Sequence, residues 1–319
     1  DNYGGAVLNA AINLHAYCII EPNSSGRIVF HASDLSTVEE FDSVNDMKKF
    51  NSKLKLHMGV YNRIISDYNN SELMSLIITT YSDAPPGSGL GSSSAMVVAM
   101  LKAFVEYLNL PMGDYDLAML AYLVEREDLK LTGGKQDQYA STFGGFNFIE
   151  FYSDNRVIVN PLRIKNWIKN EFENSLILFY TNTSRDSSKI IDDQINISKF
   201  NQNTRLNAMH QMKDYSFEMK NALLRGDFNN LSHYLNKGWL AKKRTSSLIT
   251  NEKIEELHNY VMNNGAKACK ISGAGGGGFM LIICDPIKRY SLIEKLDRID
   301  GKVILPNFIE RGAQAWTLY

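Results

Sequence analysis

Residues 85–94 read Pro-Pro-Gly-Ser-Gly-Leu-Gly-Ser-Ser-Ser, and an apolar, helix-forming run from Ala95 to Leu108 follows at once. Gly87, Gly89 and Gly91 let the backbone bend tightly and approach a ligand with no Cβ in the way. The helix then starts with its unpaired N–H groups and positive dipole end facing that loop. Ser92, Ser93 and Ser94 supply hydroxyls that can cap the helix, touch a phosphate or hold a cation. A turn with a serine cap needs one Gly and one Ser, whereas here three alternating glycines meet three serines. The segment from Pro86 through Gly87, Ser88, Gly89, Leu90 and Gly91 to Ser94 is therefore read as an anion site.

Two familiar phosphate loops do not fit. A Walker A loop has Lys before its Ser/Thr, and position 91 is Gly. A dinucleotide fingerprint starting at Gly87 would need Gly at position 92, which is Ser. Residues 273–278 do match G-x-G-x-x-G, but Phe279-Met280-Leu281-Ile282-Ile283-Cys284 follows them. That is a strand pattern, where a dinucleotide site requires a helix.

The chain has 319 residues, enough for two halves with ample core. A net charge of −1 gives no general attraction to nucleic acid or anionic membrane. Cys18, Cys269 and Cys284 sit apart in apolar stretches and read as buried thiols of a reducing compartment. No apolar run approaches the ~18–20 residues of a membrane span. The cytoplasm is the expected location, and a homodimer is allowed. Strand-like stretches at 6–12 and 15–20 are expected to pair, with others at 27–30, 76–81, 146–151, 157–159 and 176–180. Helical spacing covers 56–68, 93–109, 114–129, 135–142, about 188–224, 227–245 and 251–264, with closing strands at 302–305 and 314–319. The class is α+β with two halves meeting at a cleft, divided near 152–156 into residues 1–155 and 156–319.

Two carboxylates accompany the loop. Glu125 ends the apolar stretch 117–124; alone, it reads equally as a solvated helix end. Asp137 follows Gly133-Gly134-Lys135-Gln136, where Lys135 could lower its pKa and add charge beside a transferring phosphoryl group. A first-turn Asp that merely stabilises its helix remains open. Six scattered histidines show no metal-ligand spacing, and no Ser stands in a G-x-S-x-G context.

The order Pro85-x-Gly-x-Gly-Leu-Gly-Ser-Ser-Ser, Glu125-Arg126, Asp137, then Lys270-Ile-Ser-Gly-Ala-Gly-Gly-Gly-Gly278 resembles the GHMP small-molecule kinases, from Tyr3 to the C-terminal strand. The resemblance implies a two-domain fold with mixed and antiparallel sheets and an interdomain active site. By position it implies that loop 86–94 binds the ATP phosphates and that Ser93 or Ser92 with Glu125 binds Mg²⁺. It implies that Asp137 orients or deprotonates the acceptor hydroxyl; Lys135, from its place beside Asp137, is the second catalytic candidate. Ser272, Gly273, Ala274 and Gly275 would support substrate and phosphates from the C-terminal half.

Within the family, Asp1-x-Tyr-Gly4-Gly5-x-Val-Leu-Asn-Ala-Ala-Ile12, Glu125-Arg-Glu-Asp-Leu129, Gly134-x-Gln-Asp-Gln-Tyr-Ala140 and Thr142-Phe-Gly-Gly-Phe-Asn-Phe148 are similar to D-glycero-D-manno-heptose 7-phosphate kinases. That likeness implies phosphorylation of the anomeric hydroxyl to the 1,7-bisphosphate, for nucleotide-activated heptose and surface polysaccharide. Gly4 and Gly5 would border the sugar. A sugar phosphate requires cations, preferably Arg. Arg185, after the strand at 176–180, and Lys243, in Lys242-Lys243-Arg244, are the candidates. The family places a first strand and glycine-rich loop ahead of Tyr-Gly-Gly, so the N-terminal domain is expected to lack that strand. The rivals are a GHMP kinase for a neutral sugar such as fucose or galactose, and a non-catalytic nucleotide sensor on the same scaffold.

Overall fold

The computed structural model describes residues 4–43, 45–46, 51–183, 190–191, 193 and 202–318. Eleven strands among them form three sheets. The first is mixed: β2 (Ala16–Pro22), β5 (Leu76–Ser82), β3 (Ile28–Ala32) and β4 (Thr37–Phe41) lie in that order, with β3 parallel to β5. Its inward residues alternate as strands demand: Ile28, Phe30 and Ala32 on β3, Leu76, Ile78 and Thr80 on β5 are buried. Against them lie α1 (Lys55–Tyr68) and α2 (Ser92–Tyr107). Helix α1 buries His57, Val60, Tyr61, Ile64 and Ile65, one stripe at helical spacing.

The second sheet, β1 (Ala6–Ala10), β6 (Phe146–Phe151) and β7 (Val157–Pro161), is antiparallel. It packs on α3 (Asp114–Leu123) and α4 (Gln136–Phe143) through Ala118, Tyr139, Ile149, Phe151 and Val159. The third, β11 (Lys302–Ile304), β8 (Leu176–Tyr180), β10 (Phe279–Cys284) and β9 (Ala266–Ile271), is also antiparallel. Both its faces are covered, so β8 and β10 are apolar throughout. Met280, Ile282 and Cys284 join Trp239 of α7 (Phe228–Lys243), Ile254 of α8 (Glu252–Asn263) and Leu292 of α9 (Pro286–Leu296). Ile283 faces the other way, towards Ile168 of α5 (Asn166–Ser175) and Leu223 of α6 (Gln202–Arg225).

The α+β, two-part reading holds, and four local expectations change. The stretches at 6–12 and 15–20 are not partners: β1 pairs with β6 and β2 with β5. Each buries its apolar side in a different core, Leu8 and Ala10 with Phe146, Cys18 and Ile20 with Phe30. Residues 314–318 form no strand. The tail instead straps the first half, with Ile309 N–H donating to the Ala11 carbonyl (3.1 Å) and Ala313 N–H to that of Thr142 (3.1 Å). The helix expected over 114–129 stops at Leu123 and continues as a π-helical turn, Val124–Asp128. Finally, 152–156 is the turn of the β6–β7 hairpin, so a division at 155 runs through paired strands.

Candidate active site

Strand β5 delivers the chain into the glycine loop, which ends at α2. Gly89 and Gly91 take φ of +78° and +74°, a region where other residues are strained. Space is as restrictive as angle: a Cβ on Gly89 would lie 2.9 Å from the Ser272 carbonyl oxygen, and one on Gly91 3.0 Å from Cγ of Asp137. Loop 272–278 of the second half thus rests directly on the loop of the first. Phe279 N–H donates to the Ser88 carbonyl (2.9 Å), and Ser272 N–H to that of Phe279 (2.8 Å). Among the described residues, the N–H groups from Gly89 to Ser94 donate to no protein acceptor. They form a row of free donors at a helix start, suited to anionic oxygens.

The three serines separate by role. Ser92 Oγ turns back to the Pro85 carbonyl (3.4 Å). Ser93 Oγ donates to Glu125 Oε1 (2.6 Å) and Ser94 Oγ to Oε2 (2.7 Å), which also accepts from Gln138 Nε2. Glu125 is only 1% exposed, so it is no solvated helix end. The π-helical turn accounts for this: its wider winding, closed by Leu129 N–H on the Val124 carbonyl (3.0 Å), carries Glu125 inward. Arg126 Nη1 stands 3.7 Å from Glu125 Oε1, and Arg126 Nε donates to the Gly134 carbonyl (3.1 Å).

Asp137 is half-buried in the first turn of α4, against Gly91. Burial, and then the Glu125 charge, push its carboxyl above the ordinary carboxylate range. Arg126, a hydrogen bond from Gln136 and Lys242 oppose that rise. Lys135 does not take this place. It is buried, donates to Asn155 Oδ1 (2.8 Å) and lies over the Tyr122 ring. The lysine whose charge acts on Asp137 is Lys242, whose Nζ donates to the Gly273 carbonyl.

Lys243 is likewise elsewhere, bonded to Glu255 (2.9 and 3.1 Å) and over the Trp239 ring. Helical spacing holds the clue: 239 and 243 share a face, and the face of Trp239 is buried. Lys242, one position earlier, points to the glycine loops. Arg185 lies outside the described residues. Gly4 and Gly5 head β1, where the Gly4 carbonyl accepts from Lys213 Nζ (2.7 Å) and that of Gly5 from Phe151 N–H (2.9 Å). Ser272 to Gly275 stand at the junction, Gly275 close against Ile249. Two cavities lie apart from the glycine loops and Asp137. One of about 300 Å³ is bounded by His15, residues 309–312 and Gln314; the other, about 110 Å³, by Tyr122, Lys135, residues 151–153 and residues 155–157. The convergence of donors and carboxylates, not enclosed volume, marks the site.

Residues 55–145 match the GHMP kinases N terminal domain and 219–302 the GHMP kinases C terminal domain. The chain is 44% identical over its whole length to a D-glycero-alpha-D-manno-heptose 7-phosphate kinase of Campylobacter jejuni, covering 93% of that protein. The chain belongs to the GHMP kinases. Among solved structures, a D-glycero-D-manno-heptose 1-phosphate kinase of Bacteroides thetaiotaomicron superposes with a TM-score of 0.82 at 41% identity, over 99% of this chain and 91% of that one. A putative sugar kinase of Campylobacter jejuni superposes at 0.80 with 43% identity, over 98% and 89%. Every site group described above that lies on α2, the π-helical turn, α4, α7 or loop 272–278 falls inside the two matched GHMP kinase segments. The enzyme is accordingly a small-molecule kinase that uses ATP.

Proposed function

We propose that this GHMP kinase transfers the γ-phosphoryl group of Mg-ATP to the anomeric hydroxyl of D-glycero-D-manno-heptose 7-phosphate. The product is the 1,7-bisphosphate, a precursor of nucleotide-activated heptose for surface polysaccharide. One observation carries the chemistry: the Asp137 side chain fills the space that a Cβ would take on Gly91, the last glycine of the phosphate loop. Full-length identity of 44% to the Campylobacter heptose 7-phosphate kinase supports the choice of acceptor.

The free N–H groups from Gly89 to Ser94 and the start of α2 receive the ATP phosphates. Among the described residues, no three His, Cys, Asp or Glu side chains gather as a metal cage. Mg²⁺ bound with a nucleotide needs no such cage, since one or two carboxylates and the phosphates suffice. Ser93 Oγ, exposed at the loop, and the Glu125 carboxylate are the hard oxygen donors that fit it. Ser94 and Gln138 hold that carboxylate in place. When bound, the ion neutralises phosphate charge. Asp137 accepts the proton of the attacking hydroxyl; its elevated pKa makes it a better acceptor than an ordinary aspartate once ionised. Loop 272–278 closes the groove from the second half.

No helix among the described residues is long and apolar enough to cross a membrane. We place the enzyme in the cytoplasm, with its ATP, as a monomer or homodimer binding no nucleic acid. The test is ATP consumption with D-glycero-D-manno-heptose 7-phosphate beside mannose, fucose and galactose. Turnover confined to the phosphorylated heptose supports the reading, whereas turnover confined to a neutral sugar removes the heptose assignment. Silence with every sugar favours a sensor.

A further inference from the structure

Two lysines at the junction of the glycine loops have no role in the account so far. Lys242 lies in the last turn of α7 and Lys270 near the end of β9, one residue before Ile271 and loop 272–278. Both are half-buried. Lys242 Nζ donates to the Gly273 carbonyl, and a Cβ on Gly273 would lie 2.8 Å from Cα of Gly89. The ammonium is therefore one glycine contact away from the phosphate loop. Lys270 forms no hydrogen bond or ion pair among the described residues, and its charge acts on Lys242. The one anion whose charge acts on Lys242 is Asp137, which Arg126 also serves.

Such an arrangement is unfavourable in the free protein. Two like charges act on each other, partly stripped of water, and Asp137 is the anion that offsets Lys242. Packing does not call for it: neighbouring Lys243 has its own partner, Glu255. A site with surplus positive charge, lowered in solvation and bordered by free N–H donors, is built for an anion that arrives with the substrates.

We propose that Lys242 and Lys270 form an anion subsite that receives the phosphoryl group as it passes from nucleotide to acceptor. In that step the bond from the γ-phosphorus to the β,γ-bridging oxygen breaks, and its electron pair leaves with ADP. A bond forms between phosphorus and the acceptor oxygen, whose proton goes to Asp137. The lysines stay protonated and act by charge alone, offsetting the negative charge on the equatorial oxygens. The same chemistry would serve the phosphate ester of the acceptor. Position favours the transferred group, because Lys242 is bonded to Gly273, which lies against Gly89 of the loop proposed to hold the nucleotide.

Burial and Lys270 lower Lys242 to a pKa of about 7 in the free enzyme, while Asp137 on α4 works against that fall. Since the charged form is the active one, kcat/KM declines as pH rises through that value. Burial lowers Lys270 as well.

The experiment compares Lys242→Met, Lys242→Arg and Lys270→Met with wild type. Thermal melts and nucleotide titration report folding. Kinetics use heptose 7-phosphate, with kcat and KM measured separately. Lys242→Met is expected to lose about 100-fold or more in kcat, the scale of removing one transition-state donor. Lys242→Arg is expected to keep most turnover and to move the alkaline limb of kcat/KM upward, because guanidinium stays charged. A structural tie to Gly273 alone would not move that limb. An unmoved limb in the arginine variant, or kcat within about threefold of wild type in a folded methionine variant, overturns the proposal. So does a loss confined to KM for the phosphorylated acceptor, which would assign the lysines to that acceptor's ester. The inference rests on the kinase reading, and the two fail differently: a wild-type enzyme silent on every sugar defeats the reading, whereas an active one with intact variants defeats the subsite.

Discussion

A Cβ on Gly91 would lie 3.0 Å from Cγ of Asp137, so the residue that opens α2 and the carboxylate that opens α4 share one small space. Two helix starts converge there. In the proposed mechanism the first offers N–H donors to phosphate, and the second presents a base to the hydroxyl that attacks it. Their separation is set by the absence of one methyl group.

Gly91→Ala therefore faces both a left-handed backbone, at φ of +74°, and the Asp137 side chain. The angle alone costs about 1–2 kcal/mol. The expected result is a melting temperature lower by a few degrees and kcat/KM lower by at least about tenfold, as misplacement of a reacting group implies. A variant kinetically equal to wild type would show that the contact does not position Asp137.

Ser93 and Glu125 are the oxygen donors assigned to Mg²⁺. Ser93→Ala and Glu125→Gln should raise the Mg²⁺ concentration for half-maximal rate by about tenfold or more, at saturating ATP. Ser92→Ala should leave it unchanged, because that hydroxyl is turned to the Pro85 carbonyl. A Mg²⁺ titration of the three variants decides this, and equal curves for Ser93→Ala and wild type would move the ligand elsewhere.

Lys243 ties α7 to α8 through Glu255, and its side chain keeps 22% of its exposure. A pair that open to water contributes at most about 1 kcal/mol. Lys243→Met should lower the melting temperature slightly and leave KM for the sugar within about twofold, in contrast to a phosphate contact, whose loss costs far more. A large KM change would return Lys243 to the substrate.

Much of this was legible in the chain because the decisive features are local. Gly89 and Gly91 announce a close backbone approach, and the three serines announce a polar helix start. Asp137 and Glu125 stood out through their neighbours. What stayed hidden depends on contacts far along the chain or on helix winding. The burial of Glu125 follows from a π-helical turn, which an ordinary helical period does not foresee. Strand β4 hides its character because Val38 is 62% exposed while Glu39 is buried, bonded to Ser52 and Lys53. Helix α5 buries little beyond Ile168 and Ser175, too few residues to register as a stripe. The separation of β1 from β2 is set by two different cores, which adjacency in sequence cannot reveal. Choosing Lys242 over Lys243 required knowing which side of Trp239 faces the core.

The central claim is that Asp137 takes the acceptor proton from a raised pKa, and its substitution by Asn tests that most directly. The sign for stability is fixed: a carboxyl whose folded pKa is raised stabilises the fold only while protonated, below its unfolded value, and that contribution is lost as pH rises through the folded value. Above the folded value the ionised group is a burden that Asn removes. In wild type, kcat should rise with pH through a value above the usual aspartate range. The measurement is turnover of D-glycero-D-manno-heptose 7-phosphate by Asp137→Asn, with nucleotide affinity and melting temperature on the same sample. The account predicts turnover reduced by at least about 100-fold, ATP binding nearly intact and a melting temperature equal to or above wild type. Near-normal turnover by the folded variant would contradict it.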